Sequence, residues 1–467
     1  MNYKLIVMTL TLALALGACS YMPTYERPQS PVTEVFPAGD ADTTSQAANT
    51  LLPHWRHFFK DEALQKLVTM ALLNNRDISI AVANVEAYQA LYRIQRSELF
   101  PQLSATGGGT RSRTPAAISP ANQDWMLTQY SASIGLTAYE LDLFGRVRSL
   151  NTQALEQYFA NTENLKAAYL SLITSIGESY FTWQSDSRLL EISQRSLKTY
   201  QQSYDLMETN FKTGLISAMS LKQAAIQVET MRASVEQYTR LVEQDINALQ
   251  LLVGTKDPIQ LDSPKTMLAT GQLEDFPVGL SSEVLLARPD IQAAEHQLKA
   301  ANANIGAARA AFFPRIALSA SLGTSSSELS GLFGSGSGAW SFSPQISIPI
   351  FTAGRLKANL DYAEIQKDIQ IKQYEKAIQA AFKEVANGLA ARKTYTNQLD
   401  AQTAYFDHAT AYLGMAQNRY ESGVDDYLTV LDAQRSVYQA EQQFVTTQRD
   451  KLISELQLYK ALGGNLQ

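Results

Sequence analysis

The stretch Trp340-Ser341-Phe342-Ser343-Pro344-Gln345-Ile346-Ser347-Ile348-Pro349-Ile350 alternates between large apolar residues and Ser, Gln or Pro. A period of two is the mark of a β-strand with one apolar face. About ten residues is also the length of a tilted strand that crosses a bilayer. Arg315-Ile316-Ala317-Leu318-Ser319-Ala320-Ser321-Leu322 repeats the pattern just upstream. In the first half, Tyr130-Ser131-Ala132-Ser133-Ile134-Gly135-Leu136-Thr137-Ala138 is the counterpart, and Leu103-Ser104-Ala105 opens its partner. The segments between, 107–123 and 323–338, are rich in Gly, Ser, Thr or Pro and read as surface hairpin loops. Two β-hairpins follow from this, at about 101–144 and 314–353.

Outward from these hairpins the chain is a duplication. Gly145-Arg146 matches Gly354-Arg355, 209 residues later. Phe211-Lys212-Thr213-Gly214 matches Tyr420-Glu421-Ser422-Gly423 at the same offset of 209, and Leu251-Leu252-Val253-Gly254 matches Lys460-Ala461-Leu462-Gly463. Upstream the offset is 213, as in Asp77-Ile78 against Asp290-Ile291 and Phe100-Pro101 against Phe313-Pro314. Each unit reads as a helix (61–99 and 281–312), a Phe-Pro break, a hairpin, a glycine turn and long helices. The residue before proline is pushed out of the helical region, which ends the first helix. Repeat unit 1 spans 61–254, with long helices over 146–253. A linker follows at 255–280. Repeat unit 2 spans 281–467, with long helices over 355–462.

The long helices carry heptads. Leu221, Ala224, Val228, Met231, Val235, Tyr238 and Val242 are spaced alternately three and four apart, and a fading copy runs through Val430, Ala433, Val437, Ala440 and Phe444. A 3.5-residue repeat implies helices packed at shallow angles in left-handed supercoils. Residues 146–213, as one helix, would be about 100 Å long.

The N-terminus is an address. Lys4 precedes an apolar run that ends in Leu16-Gly17-Ala18-Cys19, so 1–18 reads as a signal peptide. The box resembles that of bacterial lipoproteins, with Cys19 as the acylated (palmitate-type) lipid anchor. Ser20 in the next position favours the outer membrane. Residues 19–60 form a lipidated N-terminal tether. Cys19 is the single cysteine of the 467 residues, which excludes an intrachain disulfide or a cysteine zinc cluster. The net charge of -6 argues against nucleic acid, since phosphate contacts need a basic face.

Backbone groups have no partner in hydrocarbon, so only helices or closed barrels span it. No internal stretch reaches the roughly 18 apolar residues of a membrane helix. Four strands of membrane length cannot close around a space. Either the hairpins stay in water or several chains pool their strands. Pooling explains the anchor, the heptads and the strand length together.

The chain resembles the outer-membrane factor family, the TolC and OprM type of exit duct, and within it the lipidated members of resistance-nodulation-division pumps. The residues that carry this are Tyr139-Glu140-Leu141-Asp142-Leu143-Phe144-Gly145-Arg146-Val147-Arg148, Arg288-Pro289-Asp290-Ile291, 303–314 (Ala303-Asn304-Ile305-Gly306 to Phe313-Pro314), 427–436 (Tyr427-Leu428-Thr429-Val430 to Arg435-Ser436) and Leu458-Tyr459-Lys460-Ala461-Leu462-Gly463-Gly464. The resemblance implies an α+β membrane protein. Its homotrimer forms a 12-stranded outer-membrane β-barrel continuous with a periplasmic α-helical barrel. An equatorial belt is drawn from the linker and the chain ends. The family passively conducts drugs and other small molecules from periplasm to outside. Its partners are a periplasmic membrane-fusion (adaptor) protein and an inner-membrane pump. The implied adaptor contacts are Gly214, Leu215, Ile216 and Ser217 with Gly423 and Val424. The implied periplasmic gate is Leu428, as an apolar ring, with Asp432, Arg435 and Tyr420. Asp425 stands where TolC has a basic residue, and Thr429 where some relatives have a second acid, so those details of the latch do not carry over.

No catalytic, metal or cofactor site is expected. His54 and His57 lack an accompanying carboxylate pair. Gly107-Gly108-Gly109 and Gly334-Ser335-Gly336 lack the Lys-Ser/Thr of a phosphate loop. The competing reading is a non-channel periplasmic coiled-coil lipoprotein, a scaffold or adaptor. An adaptor should interrupt one helical hairpin with a lipoyl-like domain, whereas here a strand-pair and helix unit occurs twice.

Overall fold

The computed structural model describes residues 20–36, 52–118, 123–261, 272–274 and 281–466. Cys19 and the signal segment lie outside them. The helices are α1 (Trp55–Phe58), α2 (Glu62–Asn74), α3 (Arg76–Ser97), α4 (Arg146–Lys212), α5 (Ala218–Val253), α6 (Pro289–Ala310), α7 (Arg355–Glu421) and α8 (Tyr427–Ala461). The strands are β1 (Leu103–Thr114), β2 (Trp125–Leu141), β3 (Arg315–Ser326) and β4 (Gly338–Ser347). The duplication is visible in the helix lengths: α4 and α7 each have 67 residues, while α5 and α8 have 36 and 35.

The described residues group into two compact units. One draws on residues up to Gln29, on Asn84–Thr162 and on Ala293–Tyr374. The other draws on Ser30–Ala83, Glu163–Gln292 and Glu375–Gln467. Each unit therefore takes residues from both repeats.

The first unit holds one antiparallel sheet in the order β1-β2-β3-β4. β1 and β2 form the first hairpin, with Leu103 opposite Leu136 and Thr114 opposite Trp125. β3 and β4 form the second, with Arg315 opposite Ser347 and Leu322 opposite Trp340. β2 pairs with β3, so the sheet is a joint product of the two repeats. Its register slips between Leu136 and Tyr139, where Ala138 has φ of 52°. β1 and β4 are the edges, and neither has a further strand beside it among the described residues. Trp125, Ile134, Leu322, Trp340, Phe342 and Ile346 are all exposed.

Two expectations about the hairpins need correction. Gly107-Gly108-Gly109 lies inside β1, not in a loop, because Tyr130, Ser131 and Ala132 of β2 supply the ladder partners. Turn composition is a local cue, and cross-strand pairing overrides it. β4 also stops at Ser347, so the alternating Ile348 and Ile350 lie beyond the ladder. The helix expected over 61–99 is broken at Asn75. There the backbone is extended, the side-chain carbonyl accepts from the N–H groups of Asp77 and Ile78, and the side-chain amide donates to the Leu252 carbonyl at 2.8 Å. The helix expected over 281–312 begins as a 3₁₀ turn, 282–287, with α6 following from Pro289.

In the first unit an N-terminal strap lies against α6. Tyr21 stacks on Phe313 with centroids 4.3 Å apart, and Phe313 stacks on Phe144 at 4.9 Å. The Asn302 amide donates to the Pro23 carbonyl at 2.7 Å. The Tyr25 hydroxyl and the Arg27 guanidinium both donate to Glu295, a side chain buried to 8% exposure. Burial alone would push the Glu295 carboxyl up, but Lys299, Arg27 and Tyr25 hold it below its usual range.

The second unit is built on aromatic packing. Phe58 stacks on Tyr459 at 4.1 Å, and Phe59, Phe181 and Leu64 are fully buried beside the helices. The described parts of the linker meet the chain ends here: Glu274 N–H donates to the Phe58 carbonyl, and Trp55 N–H to the Asn465 carbonyl. Among the described residues no helix is long and apolar enough to cross a membrane.

Candidate functional site: two helical tips and the face of α8

Both long helical hairpins end in the same turn. Gly214 has φ of 79° and Gly423 has φ of 72°, a left-handed conformation that costs any residue with a Cβ. At the first tip Gly214 N–H donates to Phe211 and Leu215 N–H to Asn210; at the second, Gly423 donates to Tyr420 and Val424 to Arg419. This paired pattern is the Schellman motif, which satisfies carbonyls left over at a helix end. Each next helix is then capped from equivalent positions. The Ser217 hydroxyl accepts from Ser220 N–H at 3.2 Å, and the Asp426 carboxylate accepts from Leu428 N–H at 3.0 Å.

The side chains differ. At the first tip Leu215 is 75% exposed and Met219 is 71% exposed, with Phe211 also open to solvent. Ile216 is half-buried and Ser217 exposed. At the second tip Val424 is the exposed large apolar residue. Beside it Arg419 grips Asp425 with two hydrogen bonds of 2.6 and 2.9 Å, tying the end of α7 to the turn. Arg419 holds the Asp425 carboxyl below its ordinary range.

The residues assigned to the gate lie on or beside α8. Leu428 is half-buried in its first turn. Asp432 and Arg435 are exposed and form an ion pair with each other one turn apart. Tyr420 does not join them. Its ring packs edge-on against Tyr427 at 4.8 Å, on a small core of Ala416, Val430 and Ala433. Within one chain, then, the structure brings Asp432 and Arg435 together and leaves Tyr420 as a packing residue.

Polar links that the sequence did not announce fasten α8 to α4 and α5. The Tyr427 hydroxyl donates to the Ser203 hydroxyl at 2.6 Å. Tyr438 and Ser193 share a hydrogen bond at 3.2 Å, Arg195 pairs with Glu441, and the Gln442 amide donates to the Tyr238 hydroxyl at 2.6 Å. A cavity of about 300 Å³ lies among α4, α7 and α8, lined by Thr199, Tyr200, Phe406, Leu413 and Val437. Higher up, Asp186 and Asp245 face each other's field beside Arg449. Burial and then the Asp186 charge push the Asp245 carboxyl up to about 7, with Arg449 opposing. His54 accepts from Arg56 N–H and lies edge-on to His57 with ring centroids 6.5 Å apart, and His296 contacts Glu156 at 2.6 Å.

A sheet with exposed apolar side chains, contributed by both halves of a duplicated chain and continued by very long paired helices, is the architecture of a TolC-like outer-membrane channel. Residues 67–255 and 280–464 match the family of outer membrane efflux proteins, and the chain belongs to that family. It is 51% identical over 456 residues to the solvent efflux pump outer membrane protein SrpC of Pseudomonas putida, covering 97% of this chain and 96% of that protein. It is 42% identical over 458 residues to the outer membrane protein OprJ of Pseudomonas aeruginosa, covering 98% and 95%. Among solved structures, the open state of the MtrE outer membrane channel of Neisseria gonorrhoeae aligns with a TM-score of 0.86 at 40% identity, covering 96% of this chain and 99% of that one. The CmeC outer membrane channel of Campylobacter jejuni aligns with a TM-score of 0.86 at 26% identity, covering 96% and 95%. The chain is an outer-membrane efflux protein and its place is the outer membrane.

Proposed function

We propose that three copies of this chain form one passive exit duct, anchored by acylated Cys19, that receives its cargo from a periplasmic adaptor and an inner-membrane pump. The observation that carries this is the pair of open edges, β1 and β4. Consecutive antiparallel strands leave the two edges running in opposite directions, so β1 of one copy meets β4 of the next in antiparallel fashion. Pairing removes the edges, and three copies supply twelve strands to a wall that four cannot close. The relatives are named for efflux of solvents, toluene and antibiotics, so the cargo here is of that class: small apolar or amphipathic molecules. The chain carries out no chemistry on it. The exposed tips at Gly214, Leu215, Ile216 and Ser217 and at Gly423 and Val424 are the adaptor contacts. Leu428, Asp432 and Arg435, with Tyr420 supporting them, form the gate. Three Asp432 carboxylates round one axis would draw cations, and three Leu428 side chains would resist wetting.

The test is the purified particle. A hollow three-fold cylinder that still needs detergent after Cys19→Ala is the expected result. Monomeric material that becomes water-soluble once Cys19 is replaced would favour the scaffold reading instead.

A further inference from the structure

The two strand-to-helix junctions of the duplicated chain are not equivalent. In the first, Asp142 accepts from the N–H groups of Val147 and Arg148 at the start of α4 and also binds the Arg148 side chain. Glu140 takes a bidentate pair of 2.8 Å bonds from Arg146 and also pairs with Arg315 of β3. In the second junction, 209 residues on, Phe351 stands for Asp142 and Pro349 for Glu140, while Arg355 is kept in place of Arg146. No acidic residue lies in the first turn of α7. The cations have been retained and both carboxylates lost.

These groups converge on a cavity of about 280 Å³ lined by Arg146, Arg315, Arg355, Phe313, Pro314 and Leu143, among others. Glu140 and Asp142 line the same cavity, but Glu140 is shared between Arg146 and Arg315 and Asp142 is engaged by Arg148, so one carboxylate serves two guanidinium groups and, among the described residues, no carboxylate pairs with Arg355. Beside it Ile350 is 94% exposed and Phe351 is 88% exposed. A cationic cavity next to exposed apolar side chains, at the level where transbilayer strands give way to helices, has the chemistry of a lipid site.

We propose that this cavity binds the phosphodiester of an anionic phospholipid from the periplasmic leaflet of the outer membrane, with Arg315 and Arg355 as the ligating groups and Ile350 and Phe351 against the acyl chains. The proposal rests on the duct reading, which sets the strands in the bilayer. Arginine suits the task because its planar fork can give two parallel hydrogen bonds to phosphate oxygens. In the first repeat the chain supplies its own anion; in the second the membrane supplies it.

The probe is phosphatidylglycerol in phosphatidylcholine vesicles, into which the trimer is reconstituted before re-extraction and counting of retained lipid by native mass spectrometry. The wild type is expected to retain phosphatidylglycerol in preference to phosphatidylcholine, up to one per chain. Arg355→Gln should lower retention at least about tenfold at equal lipid, and Arg355→Lys less. Phe351→Asp is the decisive variant, because it restores to the second repeat the carboxylate of the first: it should lose the lipid while trimer yield and conductance stay intact. Equal retention by the wild type and Phe351→Asp overturns the site. So does equal retention of the two lipids, or displacement by millimolar inorganic phosphate, which would make the occupant a free anion. A conducting trimer without retained phosphatidylglycerol sinks this site alone, whereas monomeric, non-conducting material sinks the duct as well.

Discussion

The two helical tips share a backbone and differ in what they hold. Both turn on a left-handed glycine, close with the same pair of hydrogen bonds and cap the next helix from equivalent positions, Ser217 and Asp426. The first tip then presents Leu215 and Met219 to water. The second is braced by Arg419 and Asp425 and by Tyr420 against Tyr427. A duplication preserves what the turn geometry requires and frees the side chains to diverge. One tip leaves apolar side chains open to water, and the other is held by an ion pair and an aromatic contact.

The strongest way to break the comparison is at what the tips share. Gly214→Val and Gly423→Val each force a Cβ into the left-handed region, at roughly 1–2 kcal/mol. We expect both to abolish drug resistance in cells while trimer levels on native gels stay normal. Collapse of the trimer would make the glycines purely structural.

A smaller effect separates the tips. Leu215→Asp combined with Met219→Asp should strongly reduce cross-linking to the adaptor, and Val424→Asp should reduce it less. Equal losses would erase the distinction between contact and lock. The lock is read in planar bilayers: Asp432→Ala and Leu428→Ala should each raise ion conductance severalfold, and unchanged conductance removes the gate assignment. Tyr427→Phe deletes one hydrogen bond to Ser203, worth about 1 kcal/mol. Faster amide exchange confined to the first turns of α8 is its expected signature, and uniform exchange would show that this link does not hold the helix.

The smallest effect concerns pH. The Asp245 carboxyl is pushed up to about 7 from 3.8 by burial and by Asp186. A raised acid means that the folded state keeps its proton longer than the unfolded chain does. The stability this group allows is therefore full below about pH 4 and is lost as pH rises towards 7. Asp245→Asn should flatten the fall in melting temperature across that window and raise it by about 2 °C at neutral pH. Parallel curves for variant and wild type would show that this carboxyl does not titrate there.

Features with a period were legible in the sequence. Two-residue alternation located the strands around Ile134, Leu318 and Phe342, the fixed offset paired Gly214 with Gly423, and the heptad seam named Ala224, Val228, Met231 and Ala433, all buried. What escaped was non-periodic. The break at Asn75 depends on a bond to Leu252, far along the chain, and the triple glycine became strand only because β2 lies beside it. At the tips the turn chemistry was readable from Gly214 and Gly423. The Ser203–Tyr427 and Ser193–Tyr438 links were not, since a hydroxyl on a helix gives no hint of a partner more than two hundred residues away.

The strap has a mechanical meaning. Its grip is graded: an aromatic stack at Tyr21, one amide bond at Pro23, then the charged clasp of Tyr25 and Arg27 on Glu295. A tug applied ahead of Ser20 would peel the weak contacts first and come to rest on the clasp. Because Glu295 and Asn302 both belong to α6, that helix carries the load.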